Sequence, residues 1–383
     1  MNEKHRKPLI RVGFGRYLLN KGLRTGTLDG IGQYVQALSI HLRNPPLDQS
    51  ISLTPFTFGH AAPPGTLSLG HHALNSLWSS LSGRNFWGTK NLQRYVDVIH
   101  ATDHHIPRCS PTPIVATVMD VIPLSHPEWA RDSLRALKSA LWKKSLTWTD
   151  QIITISEYSK TEILKWTDVT AEKISVIPLG VDASWFERSQ AHEIASVQTK
   201  YQLPENYFIS IATLQPRKNI ESTIRAHQSL SPKERLQTPL IIVGRAGWKC
   251  EALLKLIQED PLAGAVRWLQ RVPQEDIRPL LQRARALVFP SLAEGFGLPV
   301  LEAFASNVPV ITSNTTCLPE VAGDAAVLID PLDTTQIAHA MRRLRDDHAF
   351  ADGLRERGRQ RARIFTWDSC ARATADVYLK IAR

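Results

Sequence analysis

The sequence predicts an α/β protein built from two doubly wound, Rossmann-like domains, each a parallel sheet with helices on both faces. Short apolar runs of strand length alternate with periodic helical segments throughout the chain, the signature of repeated βαβ units. That alternation starts afresh after Pro178-Leu-Gly-Val-Asp182, a stretch of the composition that joins domains. A length of 383 residues gives each half enough material for its own core. The expected division is therefore residues 1–180 and 181–365.

Composition narrows the class. The chain is 43% hydrophobic and 21% charged, as in ordinary globular proteins. No apolar run approaches the ~20 residues of a membrane-spanning helix. The start, Met1-Asn-Glu-Lys-His-Arg-Lys7, is polar and runs straight into a strand, unlike a secretory signal. Cys109, Cys250, Cys317 and Cys370 lie far apart with no paired spacing. They point to reduced thiols in a cytoplasmic protein and away from a zinc site or disulfide frame. A net charge of +10 asks for an anionic partner: nucleic acid, a phosphorylated substrate or an acidic membrane surface. Without a zinc finger, basic zipper or ribonucleoprotein-type aromatic motif, nucleic acid is the weakest of these and is not expected to bind.

In the first half, residues 8–13 read as a strand. Gly13-Phe-Gly15 follows, but the third glycine of a dinucleotide fingerprint is missing and no helix is expected directly afterwards. Asp29-Gly-Ile-Gly-Gln-Tyr34 is the better glycine turn, because it leads into a helix with Tyr34, Leu38 and Leu42 on one face. Gly30 and Gly32 either shape a packing turn or let the backbone approach a phosphate or sugar at that helix N-terminus. A strand at 52–58 precedes a Pro-, Gly-, Ser- and His-rich stretch, 59–88, which reads as loop plus a short helix. Strands follow at 97–100 and 113–118. His100, His104 and His105 fall on no common helical face, so they read as loop histidines lining a substrate cleft, not as metal ligands. Residues 131–148, Arg131 to Trp148, predict a helix with Leu134, Leu137, Leu141, Ser145 and Trp148 along one side. Arg131, Arg135, Lys138, Lys143 and Lys144 surround it. Its apolar side is either core or, given the cations and tryptophans, a contact for an anionic membrane surface. A strand at 151–155, a helix capped by Ser156 and a strand at 173–178 complete the half.

Strand 207–212 opens the second half, and Thr213-Leu-Gln-Pro-Arg-Lys-Asn219 leads from it into a helix beginning at Ile220. Two cations in a strand-to-helix loop, Arg217 and Lys218, form a natural clamp for a diphosphate. Strands at 240–244, 266–269, 286–289, 310–313 and 326–329 continue the sheet, and 366–382 is the last helix. The densest window is Pro290-Ser-Leu-Ala-Glu-Gly-Phe-Gly-Leu-Pro-Val-Leu-Glu302, between the buried strand 286–289 and an apolar helix at 299–306. Pro299 suits the first helical position, and amides around Gly297 and Leu298 would point outward from a positive helix end. Glu294 just ahead of that anion site and Glu302 one turn inside the helix flank it. Amides for a diphosphate and carboxylates for hydroxyls are what a sugar nucleotide needs.

The segment Glu294-Gly-Phe-Gly-Leu-Pro-Val-Leu-Glu302 resembles the two-glutamate motif, acids separated by seven residues, of retaining glycosyltransferase family 4. The likeness continues through Ala303, Pro309-Val-Ile311 and Pro319-Glu-Val-Ala-Gly-Asp324, and back to Ser291. It implies the glycosyltransferase B-type fold: an acceptor domain, then a donor domain facing it across a cleft, and a terminal helix at 366–383 packing back on the first. By that resemblance Lys218 and Arg217 hold the pyrophosphate, with Gln215 where relatives carry an acid. Glu294 binds sugar hydroxyls and Glu302 ribose hydroxyls. Phe296, Gly297 and Leu298 line the substrate, Val272 meets the nucleobase through its backbone, and the loop of Gly30 and Gly32 closes over the donor. In Ala116-Thr-Val-Met-Asp-Val-Ile-Pro-Leu124 the family pattern is His-Asp. Asp120 is present, but Met119 replaces the histidine and cannot donate a hydrogen bond. The catalytic residues implied are Glu294, Lys218 and Asp120.

The reaction implied is transfer of a hexose from a nucleotide diphosphate sugar to a hydroxyl with the anomeric configuration retained. No Asp-x-Asp pair is present, so neither metal nor cofactor is expected. The whole chain looks closest to bacterial GDP-mannose-dependent mannosyltransferases of O-antigen or exopolysaccharide synthesis. That implies a glycan or polyprenyl-linked glycan acceptor and a place at the inner face of the plasma membrane. A UDP-sugar donor is an alternative, as is a pseudoenzyme that binds nucleotide sugar without turnover. A glycosidase also uses two carboxylates but leaves the phosphate clamp unexplained.

Overall fold

Every residue of Val98–Ala101, Ile114–Thr117, Gln151–Thr154, Leu240–Val243, Ala286–Phe289 and Val310–Ser313 is buried. Strands covered on both faces need no polar alternation, which is why Leu240–Val243 and Ala286–Phe289 are unbroken apolar runs. The structure, a computed structural model, describes residues 9–26, 28–59, 62–129 and 134–382. The chain divides into two units, Met1–Gly180 with Trp367–Arg383, and Val181–Thr366.

In the first unit β1 (Ile10–Gly15), β2 (Ile51–Thr57), β3 (Leu67–Ser68), β4 (Val98–Ala101), β5 (Ile114–Thr117), β6 (Gln151–Thr154) and β7 (Ile174–Val176) form one sheet. Its order is β3-β2-β1-β4-β5-β6-β7, and every pairing is parallel. The second unit holds β8 (Phe208–Ile211), β9 (Leu240–Val243), β10 (Val266–Leu269), β11 (Ala286–Phe289), β12 (Val310–Ser313) and β13 (Val327–Ile329). Their order is β10-β9-β8-β11-β12-β13, again all parallel. In each sheet the winding reverses beside the first strand, between β1 and β4 and between β8 and β11. Loops leaving the carboxyl ends of such a strand pair diverge and leave room for a ligand.

Several expectations need correction. The first strand extends to Gly15, so Gly13-Phe-Gly15 is strand and not turn. A Cβ on Gly13 would lie 3.3 Å from the Val96 side chain, and one on Gly15 3.2 Å from the His100 carbonyl oxygen, so both positions serve close packing. A helix, Tyr17–Thr25, does open directly afterwards. The stretch 59–88 contains β3 and an eleven-residue helix, His72–Ser82, where a loop with a short helix was expected; His60 and Ala61 lie outside the described residues. The expected 131–148 helix is Arg135–Leu146, and positions 131–133 lie outside the described residues. Leu134 and Leu137 are exposed and only Ser145 and Leu146 are buried, so the supposed core side reaches the core at its C-terminal end alone. His100 is a fully buried strand residue, not a loop histidine.

Helix Gly30–His41 buries Tyr34, Leu38 and Leu42, as the periodicity required. Helix Trp367–Ile381 packs against it within the first unit. A chain of buried polar groups fastens the two to the sheet. His100 Nδ1 lies 2.6 Å from Tyr378 Oη, His100 Nε2 lies 2.8 Å from Thr117 Oγ1, and that hydroxyl lies 2.8 Å from Tyr34 Oη. Burial pushes His100 down to about 3, so the imidazole is neutral, with one nitrogen donating and the other accepting. All four cysteines are free and buried. Among the described residues no helix is long and apolar enough to cross a membrane.

Candidate functional site

The two loops singled out in the second half leave β8 and β11, the strands at which that sheet reverses. Their backbones are stitched together. The Leu292 amide donates to the Arg217 carbonyl at 2.8 Å. Asn219, in the left-handed region at φ 54°, sends its Nδ2 to the Pro290 carbonyl at 3.0 Å and the Pro331 carbonyl at 2.6 Å. Asparagine tolerates that conformation better than most residues. Arg217 and Lys218 are thereby held over the second loop, with Lys218 Nζ 5.0 Å from the centre of the Phe289 ring.

Both cations grip Glu294. Arg217 Nη1 donates to Oε2 at 2.8 Å and to the Ala293 carbonyl at 2.9 Å, while Lys218 Nζ donates to Oε1 at 2.5 Å. Burial alone would raise the carboxyl, but Lys218 and then Arg217 outweigh it and hold Glu294 down at about 2. A carboxylate offers about four acceptor directions, so one cation at each oxygen leaves acceptor capacity for hydroxyl donors. Glu294 thus orients the clamp in addition to the sugar-binding part expected of it.

Gly297 caps helix Leu298–Ala305 without any side-chain cap. Its φ is 104°, and a Cβ there would stand 2.8 Å from Leu318 Cδ2, so only glycine fits. The first amides of a helix have no intrahelical partner and carry the positive end of its dipole. The helix starts at Leu298, which makes Pro299 the second helical residue and not the first. Glu302, on the same helix, is half-buried, and burial pushes its carboxyl up to about 7. The arrangement combines two fixed cations, a helix end and two carboxylates of opposite character, which suits a group carrying phosphates and hydroxyls.

Residues 193–362 match the model of glycosyl transferases group 1, and residues 28–185 match that of glycosyltransferase family 4. O-antigen chain mannosyltransferase B of Escherichia coli is 35% identical over 298 residues, 77% of either chain. The chain belongs to glycosyltransferase family 4. O-antigen chain mannosyltransferase RfbU of Salmonella typhimurium is 32% identical over 260 residues, 67% of this chain and 66% of that one. Among solved structures, Anabaena HepE in complex with UDP and glucose superposes with a TM-score of 0.73 at 16% identity, covering 97% of this chain and 100% of that one. That likeness bears on the fold alone, which is the glycosyltransferase B-type fold.

The other expected positions of this glycosyltransferase are distributed as follows. Phe296 is buried, and its ring packs edge-on against Phe365 at 5.8 Å, so the side chain is part of the core. Val272 follows β10, two strands from β8 at the sheet edge, away from the clamp loops' strands. Gly30, Gly32 and Asp120 belong to the first unit. The Gly32 amide is already taken by the Asp29 cap at 2.8 Å, whereas Gly30 is exposed with open space around it. Asp120 Oδ1 accepts from the Ile122 amide at 3.1 Å, and the Met119 carbonyl accepts from Ser159 Oγ at 2.9 Å.

Sequence reasoning missed the reversal point of the first sheet. Asp103, two residues beyond β4, is buried and accepts from the His105 amide and faces its Nδ1, each at 2.8 Å. Burial opposes ionisation there, but His105 holds the carboxyl below its usual range. Tyr17 and His72 rings flank His105 at 4.3 and 4.7 Å. Asp103, His104 and His105 offer ligand atoms within 4.8 Å of one another, so they are the group among the described residues able to hold an ion. The acidic neighbour is legible in Asp103-His-His105 itself, a local cluster to which helical spacing is blind.

Proposed function

We propose that the protein transfers mannose from GDP-mannose to a hydroxyl of a glycan or polyprenyl-linked glycan in surface polysaccharide synthesis, retaining the anomeric configuration and using no metal. The observation that carries this reading is the convergence of Lys218 and Arg217 on Glu294 beside the Gly297 helix end. Negative charge grows on the leaving phosphate as the glycosidic bond breaks, and preorganised donors aimed at it lower the barrier. Glu294 holds the cations in place and accepts from the sugar, and Glu302 accepts from the ribose. The leaving phosphate oxygen takes the acceptor proton on the same face, through an oxocarbenium-like state. The O-antigen mannosyltransferase relatives support the sugar and the process.

The deciding experiment mixes the purified protein with GDP-mannose and a lipid-linked glycan acceptor and follows GDP release. Release that Lys218→Ala abolishes supports the reading. A larger thermal shift with UDP than with GDP overturns the donor assignment in favour of a UDP-sugar. Met119, where the pattern has histidine, favours one other reading, a nucleotide-sugar-binding protein without turnover. Nucleotide binding with no release across an acceptor panel would establish it.

A further inference from the structure

Helix His72–Ser82 is turned inside out. Its buried positions are the polar Asn75, Ser76 and Ser79, while Leu74, Leu77, Trp78 and Leu81 are 58%, 43%, 37% and 80% exposed. The spacing i, i+3, i+4, i+7 puts those four apolar side chains on one stripe facing out. The polar side is anchored. Asn75 Nδ2 donates to the Leu69 carbonyl at 2.9 Å, Asn75 Oδ1 accepts from the Trp87 amide at 2.9 Å, and Arg108 Nη1 donates to the Ser79 carbonyl at 3.4 Å. The helix cannot roll to hide the stripe without breaking these bonds. Exposed Trp87 stands beside Trp78 with ring centroids 5.9 Å apart. Helix Arg135–Leu146 packs alongside and adds exposed Leu134 and Leu137.

The two segments that build this face carry charge of one sign. Residues 71–95 and 134–146 contain seven Lys or Arg and no Asp or Glu. Arg84, Lys90, Lys138, Lys143 and Lys144 are exposed. A contiguous outward apolar stripe costs a freely dissolved chain solubility, and its presence marks a contact surface. Leucines and tryptophans set among cations match the boundary of an anionic bilayer, where indoles sit at headgroup depth and ammonium groups reach the phosphates. A second copy of the chain is a poor occupant, because it would bring the same cations face to face.

We propose that this face seats the protein on an anionic membrane, with Leu74, Leu77, Trp78, Leu81 and Trp87 entering the headgroup–acyl boundary and the flanking lysines and arginines on lipid phosphates. It locates the lipid contact that the proposed lipid-linked acceptor calls for, and does so independently of the donor chemistry. The test is partition of the full chain onto vesicles of phosphatidylglycerol and phosphatidylcholine, against phosphatidylcholine alone. The double variant Leu74→Gln, Leu81→Gln should bind the mixed vesicles at least about tenfold more weakly. The triple variant Lys138→Glu, Lys143→Glu, Lys144→Glu should lose roughly a hundredfold on the anionic vesicles and change little on neutral ones. Both should melt like the parent and, given GDP-mannose and a water-soluble acceptor, release GDP at the parent rate. Failure of the parent to bind vesicles, or equal binding by the leucine variant, overturns the proposal. A dimer in light scattering that the leucine variant dissolves, or retention only by a protein partner, assigns the face to that occupant instead. Vesicle binding without any GDP release would sink the transferase reading and leave this one standing.

Discussion

The two sheets reverse their winding in the same way, yet the loops at the two reversal points carry opposite chemistry. Beside β8 and β11 the groups are charged and mutually committed: Arg217 and Lys218 on Glu294, with the loop backbones hydrogen-bonded to each other. Beside β1 and β4 they are aromatic and imidazole: Tyr17, His72, His104 and His105 around a single buried acid, Asp103. A shared topology supplies a place for a ligand, and the loop residues decide what enters it. Fixed cations suit a ligand that is anionic throughout, such as a diphosphate. Aromatic and imidazole rings suit the faces of sugars, whose hydroxyl patterns vary.

The sharpest way to break that contrast is Lys218→Ala, which should lower the initial rate of nucleotide diphosphate release by about 10²–10³. Glu294→Gln should follow it closely, since the clamp loses its orienting charge. A rate near that of the parent in either variant would reduce the charged loop to architecture. Next in size is the response to acid. His100 has a folded value near 3, below that of the unfolded chain, so its contribution is present above about pH 6.5 and drains as the pH falls. By pH 5 the loss amounts to about 2 kcal/mol. Glu294, held at about 2, keeps its full contribution above about pH 4.5 and loses it as the pH falls from there to about 2. At pH 5 hydrogen-exchange protection, corrected for the slower intrinsic exchange in acid, should therefore fall in peptides covering β4 and hold in residues 213–219; an equal fall in both would erase the distinction.

The two glycine turns offer a smaller test. Gly297→Ala should cost about 1–3 kcal/mol in urea unfolding, because φ 104° and the Leu318 contact both oppose a Cβ. Gly30→Ala, in open space at a helix start, should be neutral or stabilising by up to about 1 kcal/mol. Smallest is Glu302→Gln. The raised carboxyl binds its proton more tightly when folded, so stability falls as the pH rises from about 4.5 to about 7. Removing the ionisable group should raise the melting temperature at pH 8 by about 2–4 °C and leave it unchanged at pH 5.

Most of the second unit was legible because its signals are local. The strands at 266–269, 286–289 and 310–313 are short stretches rich in β-branched and aromatic residues, and all three coincide with the observed elements. Arg217, Lys218 and Glu294 carried charge in windows of glycine and proline, and the structure brings them into contact. What the sequence hid depends on neighbours distant along the chain. Phe296 sits in a ligand-shaped motif yet packs on Phe365, and nothing near it in sequence announces that. The two-residue β3 is too short to show a period. The inversion of helix His72–Ser82 is hidden because an inverted helix has the same periodicity as an ordinary one, and only contacts tell which side faces in.

The hydrogen bond between Tyr378 and His100 has a consequence for how the protein is made. Residues up to 180 emerge first from the ribosome, but Tyr34, His100 and Thr117 wait for a helix that begins at Trp367. The middle of the chain, uninterrupted from Val181 to Thr366, has every strand of its sheet in hand before that helix is translated. The order of synthesis and the order of completion are therefore reversed: the sheet begun first is finished last.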